Sequence, residues 1–229
     1  RARPSGRAAG PNSGAQPARG RAAAGGYRAV LADPGNVWLA VLNVASTLMC
    51  TAPIMAMPIY VLDHLHRPAW VPGLLAAISA AALAGAVLIS HRFTGGHGRL
   101  AVLAVANVLW AGACLTFAVA GGVPASALGL LVAGVLLLGV AEAAYAPTAD
   151  TLPLAIAPPA LTGRYSALHQ LSWGVSSIIA PIFTATLLAA GAAAVWLALA
   201  AVSALAAVAY AAAPRVLRNR AGRAGAATA

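Results

Sequence analysis

Glu142 stands in an apolar stretch that offers no other charge from Leu100 as far as Asp150. A carboxyl held away from bulk water can take up and release a proton, or pair with a cation. The competing reading is a structural acid, hydrogen-bonded between helices. Tyr145 and Asp150, three and eight residues on, share its helical face. Asp150 lies nearer the end of the stretch and reads as solvated or paired with Arg164. A second constellation is Asn43, Thr47, Cys50 and Thr51, spaced i, i+4, i+7 and i+8 along one side of a helix. Such a stripe can contact a polar ligand, or it can bond its own backbone and a neighbouring helix. In a third, His169, Trp173 and Ser176 or Ser177 share a face, with Gln170 beside it. An imidazole can exchange protons near neutral pH, or it can serve as a hydrogen-bond partner between helices. Pro147 interrupts the helical ladder, either as a hinge or as a packing device. Asp63-His64-Leu65-His66 supplies two imidazoles but no convincing third ligand, so no metal site is expected.

The elements that must position these residues follow from composition. Of 229 residues, 61% are hydrophobic and only 8% are charged, against about 25% charged in a soluble domain. The mean hydropathy is +0.84. Such a chain cannot cover its surface with polar groups, which excludes a soluble globular enzyme, a disordered tail and a disulfide-stapled module. Cys50 and Cys114 both fall within apolar runs and form no disulfide framework. The net charge of +10 comes from arginines alone, without a lysine, and these sit between and outside the apolar runs. That placement argues against a nucleic-acid surface.

A membrane-spanning helix needs about 20 mostly apolar residues. The charge-free runs predict an all-α, polytopic membrane protein of six transmembrane helices, at about 36–62, 70–91, 99–120, 126–155, 165–189 and 192–213. The alternating short segments of a β-barrel are absent. Residues 1–33 are predicted as a basic, flexible cytoplasmic linker and lead-in, 34–214 as the transmembrane domain, and 215–229 as a basic cytoplasmic tail. With six crossings, thirteen of the fourteen arginines fall on one side and only Arg67 on the other. The positive-inside rule therefore puts both termini in the cytoplasm. The linker arginines can also attract anionic lipid. A basic linker at the start of the chain further suggests that something precedes Arg1.

One run resembles a known family. Gly139-Val-Ala-Glu142-Ala-Ala-Tyr145-Ala-Pro147, then Ala157-Pro158, Gly163-Arg164-Tyr165-Ser-Ala167 and Leu171-Ser172-Trp173-Gly174, resemble helices ten and eleven of bacterial major facilitator superfamily transporters. Thr162 stands where that family often carries an arginine before the Gly163-Arg164 motif. Tyr27-Arg28-Ala-Val-Leu-Ala-Asp33 is similar to the lead-in to helix seven. The loop at 91–99 departs from the pattern, lacking its aspartate and keeping Gly98-Arg99. The resemblance covers about residues 24–215 and implies the C-terminal six-helix half of a carrier, built of two inverted three-helix repeats, about 36–120 and 126–213. It implies that Asn43, Thr47, Cys50, Tyr145, His169, Gln170 and Trp173 are substrate-cavity candidates, with Glu142 for proton coupling and Pro147, Gly163 and Arg164 as hinge or motif residues.

The implied function is secondary active transport of a small solute by alternating access, with proton-coupled efflux of drugs or metabolites as the leading subtype. The implied location is the bacterial cytoplasmic membrane. The partners would be substrate, proton, lipid, and an N-terminal half or a second copy of the chain. Proton-coupled nutrient uptake and a non-transporting membrane binding or structural module are the alternatives. Enzymatic readings fail on residues: Gly174-Val-Ser176-Ser177 lacks the closing glycine of an intramembrane serine protease. His169 sits on the same helix as those serines. No metalloprotease, phosphate-loop or dinucleotide motif is present, and no cofactor is expected.

Overall fold

The structure, a computed structural model, describes the backbone of residues 26–94 and 98–226, and side chains within 26–88 and 98–214. Residues 1–25 of the linker and lead-in expected over 1–33, the middle of the 91–99 loop and the last three residues lie outside the described residues.

A short helix α1 (Tyr27–Leu31) leads into α2 (Pro34–Ile59), which continues as a π-helical turn over Tyr60–His64. Then follow α3 (Val71–Thr94), α4 (Arg99–Ala120), α5 (Ala127–Ile156), α6 (Thr162–Ala190) and α7 (Ala194–Ala226). Among the described residues, six helices are long and apolar enough to cross a membrane. The last helix runs past 214, so residues 215–226 of the segment expected as a tail are helical.

The first span begins where the chain dictates it. Pro34 presets a helical φ at the first position and gives up an N–H that would have no partner there. Asp33 caps the helix, its Oδ1 accepting from the N–H groups of Gly35 at 2.9 Å and Asn36 at 3.3 Å. Its other oxygen, Oδ2, accepts from the Tyr165 hydroxyl at 2.8 Å, which ties the start of α2 to the first turn of α6. At the far end the ladder widens, with the Leu65 N–H reaching Tyr60 O at 3.0 Å, and the span stops.

The principal helix contacts are α4 with α5, α4 with α7, α3 with α5, α2 with α6, and α2 with α7. Exchanging α2 with α5, α3 with α6 and α4 with α7 maps this pattern onto itself. Each triplet crosses three times, so the second starts from the opposite side and the two triplets are inverted. The chain is thus an all-α bundle of two three-helix repeats. The equivalent seams use different chemistry. Between α3 and α5 the helices meet at Gly139, where a Cβ would lie 2.7 Å from Ser79 O and 2.9 Å from Leu83 N. Between α2 and α6 the contact is hydrogen-bonded, as described below. Tyr60, Phe117 and Trp196 close the end of the bundle away from Asp33, where the Tyr60 hydroxyl donates to Phe117 O at 2.7 Å.

Candidate functional site

Helices α2, α3, α4 and α5 surround a cleft of about 320 Å³. Its walls are Met49, Cys50, Pro53 and Ile54 from α2, Ala76, Ser79, Ala80 and Leu83 from α3, Trp110 from α4, and Leu138 and Glu142 from α5. A smaller lobe of about 130 Å³ continues along α2 to Met57 and Pro58. The two share Pro53, Ile54, Ala76, Ser79 and Leu138 and are one groove. It lies where the first repeat meets α5 of the second. Ile54 and Ala80 on its rim are exposed.

Glu142 is half-buried on this wall. It is the sixteenth of the 30 residues of α5, roughly 21 Å from either end of the helix at 1.5 Å per residue. Among the described residues no hydrogen bond or ion pair reaches its carboxyl. The arginines whose side chains are described, Arg28, Arg67, Arg99 and Arg164, all sit at helix starts or in loops. Gly139, one turn before Glu142, lets α3 approach within backbone contact, and the contacted Ser79 and Leu83 also line the cleft. The Gly-x-x-Glu spacing therefore sets a close helix crossing next to an intramembrane carboxyl.

Cys50 joins Glu142 on the cleft wall. Most of the other cavity candidates are placed elsewhere. Asn43 and Tyr145 are buried at a junction of three helices. The Tyr145 hydroxyl donates to Asn43 Oδ1 at 2.7 Å, and Asn43 Nδ2 donates to His169 O at 3.4 Å, joining α5, α2 and α6. The Tyr145 ring packs at 5.0 Å from that of Trp110. Thr47 is fully buried, its Oγ1 in hydrogen-bond contact with Ser176 Oγ and 3.2 Å from Ser172 O. Ser176 and Ser172 in turn donate to Val44 O at 3.0 Å and Ala40 O at 3.2 Å. Two turns of α2 are thereby stitched to two turns of α6. His169 is buried with its Nε2 unpartnered among the described residues. Gln170 is exposed and Trp173 half-buried. Pro147 lies on the exposed side of α5, Gly163 is exposed at the start of α6 with open space where a Cβ would go, and Arg164 is half-buried.

Sequence reasoning missed Trp110 and the α3 wall. A signal existed for Trp110: it is the twelfth of the 22 residues of α4, whereas tryptophan in membrane helices favours the interfaces. Asn107 on α4 bonds across to α2, its Nδ2 donating to Ser46 Oγ at 3.1 Å.

Six apolar spans, an inverted pair of three-helix repeats and a mid-bundle cleft where they meet define a multi-pass membrane transport protein. The chain belongs to the Major Facilitator Superfamily, whose family model matches residues 39–228. No curated protein and no solved structure matches it.

Proposed function

We propose that this chain works in secondary active transport of a small solute, as one six-helix unit rocking against another by alternating access. Coupling is to protons and the direction is export of drugs or metabolites. The second unit is an N-terminal half or a further copy of the chain. The arginine-bearing end of the bundle, with both termini, faces the cytoplasm of a bacterial inner membrane.

The observation that carries this reading is the Glu142 carboxyl at mid-helix, without a hydrogen bond or ion pair among the described residues, on a cleft between the repeats. An unpaired charge at the bilayer centre costs about 2.5–3.5 kcal/mol or more. A carboxyl there is carried more cheaply when it meets a proton, water or a positive charge than as a lone anion. That is the behaviour a proton-coupled carrier requires. Asn43, Tyr145 and Thr47 hold the helices around the cleft in register.

Vesicles reconstituted with the protein and energised by a proton gradient test the reading. Gradient-dependent flux is expected in the wild type, and Glu142→Gln should remove the dependence on the gradient. Unchanged flux and pH dependence in that variant would overturn the role given to Glu142. Absence of gradient-dependent flux in the wild type would overturn transport. Crosslinking in detergent distinguishes a self-paired chain from one that needs a different half.

A further inference from the structure

The seam between α2 and α6 opens into a second groove, which shares no lining residue with the Glu142 cleft. Here Val37, Val41 and Val44 of α2 face Leu168, Leu171 and Val175 of α6 across about 150 Å³. Buried Ala40 and Ser172 form the floor, where Ser172 Oγ donates to Ala40 O at 3.2 Å. Val41 and Leu171 on the rim are exposed. We propose that this groove holds an acyl chain of an anionic phospholipid, whose phosphate sits on Arg164 and Arg28.

Helical register places the charge at one end of the groove. Arg164 precedes Leu168, Leu171 and Val175 by four, seven and eleven residues, so all four share one face of α6. The short helix α1 packs against both α2 and α6 and carries exposed Arg28 to the same end. Asp33, the α2 cap at that end, already accepts from Gly35, Asn36 and Tyr165. A guanidinium has five N–H donors and grips a phosphate alongside any other partner. The length of the groove fits a lipid as well. Asp33 to Val44 and Arg164 to Val175 are each eleven residues, about 16 Å at 1.5 Å per residue. One leaflet's share of the hydrocarbon core is about 15 Å. The groove therefore runs from the helix starts to mid-bilayer, the path of one acyl chain, and its valine and leucine walls give that chain aliphatic contact. A helix of a second unit would fill the slot but supply no anion for the arginines at its mouth. A phospholipid answers both needs at once. Phosphatidylglycerol carries one negative charge and no ammonium, whereas the cation of phosphatidylcholine is repelled by the same arginines. The site stands whether or not the chain transports.

The test is native mass spectrometry of the purified 229-residue chain in detergent, titrated with phosphatidylglycerol and with phosphatidylcholine of identical acyl chains. The wild type should retain one phosphatidylglycerol roughly fivefold or more tighter than phosphatidylcholine. Arg164→Gln should remove most of that preference, and Arg164→Lys should keep part of it. Arg28→Gln, at an exposed position outside the spans, should give a smaller loss without touching α6. Val41→Trp fills the groove from its exposed rim and should weaken retention of both lipids, whereas Leu205→Trp, on an exposed part of α7, should change neither. Each variant is first shown to elute as a single helical species. Equal retention of the two lipids by wild type overturns the proposal. So does a preference that survives both Arg164→Gln and Arg28→Gln, or retention that survives Val41→Trp. Displacement of the lipid by an equal concentration of glycerol phosphate would show a headgroup site in which the groove plays no part, and overturns it too. A lipid-free dimer that Val41→Trp separates would make a second copy the occupant and overturn the lipid.

Discussion

Replacing Gly139 by alanine should part α3 from α5. The added Cβ would stand 2.7 Å from Ser79 O, 2.8 Å from Ala82 Cβ and 2.9 Å from Leu83 N. Non-bonded carbon rests at about 3.5–4.0 Å from its neighbours, so α3 must retreat by roughly 0.7 Å or more. Two of the three neighbours are backbone atoms, and no change of rotamer relieves them. A retreat on that scale forfeits about a quarter to a half of each dispersion contact along the seam. Overpacking of this kind costs about 1–3 kcal/mol, and the better helix propensity of alanine offsets up to about 1 kcal/mol. The net expectation is a loss of about 1–2 kcal/mol. Gly174, inside α6, has nothing within 4 Å of its would-be Cβ. Gly174→Ala should therefore leave stability unchanged or raise it. The assay is unfolding of the two purified variants in the same detergent, followed by helical circular dichroism. If Gly139→Ala unfolds at or above the wild-type midpoint, the close α3–α5 contact is not the constraint described here.

Gly134→Ala should also destabilise, because its Cβ would meet the ring of buried Phe117 and lie 2.6 Å from Thr116 Oγ1; Phe117→Leu in the same chain should recover part of the loss in the same unfolding assay. Thr47→Val removes the link to Ser176 and Ser172 and should cost about 0.6–1.7 kcal/mol, the range for hydrogen bonds between membrane helices, read as a lower unfolding midpoint. Asp33→Ala removes the α2 cap and the Tyr165 partner together; a loss of about 1–2 kcal/mol is expected, and Tyr165→Phe should reproduce only the smaller share. Tyr60→Phe strips the hydroxyl from Phe117 O and should lower stability by about 1–3 kcal/mol if that carbonyl is left dry.

The spans were legible because charge is so scarce: Asp33-Pro34 marks one start, and uncharged runs bounded by Asp63, Arg92, Arg99 and Pro214 mark the rest. The start of α6 lies at Thr162, three residues before the expected 165, since Thr162, Gly163 and Arg164 can be helical without being apolar. Helical spacing identified the polar side of α2, but periodicity gives a face and not its neighbour. Asn43 and Thr47 meet α6, while Cys50, on the same stripe, meets the cleft. Glu142 and Tyr145 differ by about 60° around α5, enough to send one to the cleft and the other to the Asn43 junction. The α3 wall was hidden because Ala76, Ser79 and Ala80 have side chains too small to announce a site, and their role follows only from where Gly139 lets α3 approach.

The two equivalent seams of the bundle carry unequal mechanics. Along α2 and α6, Thr47, Ser172 and Ser176 must exchange partners before one helix can slide on the other. That seam resists shear in discrete steps, like a ratchet. Along α3 and α5, smooth backbone contact at Gly139 resists compression, and among the side-chain hydrogen bonds described above none joins these two helices as Thr47, Ser172 and Ser176 join α2 to α6. A topology that repeats itself thus has a stiff flank and a compliant one, and the carboxyl of Glu142 is mounted beside the compliant one.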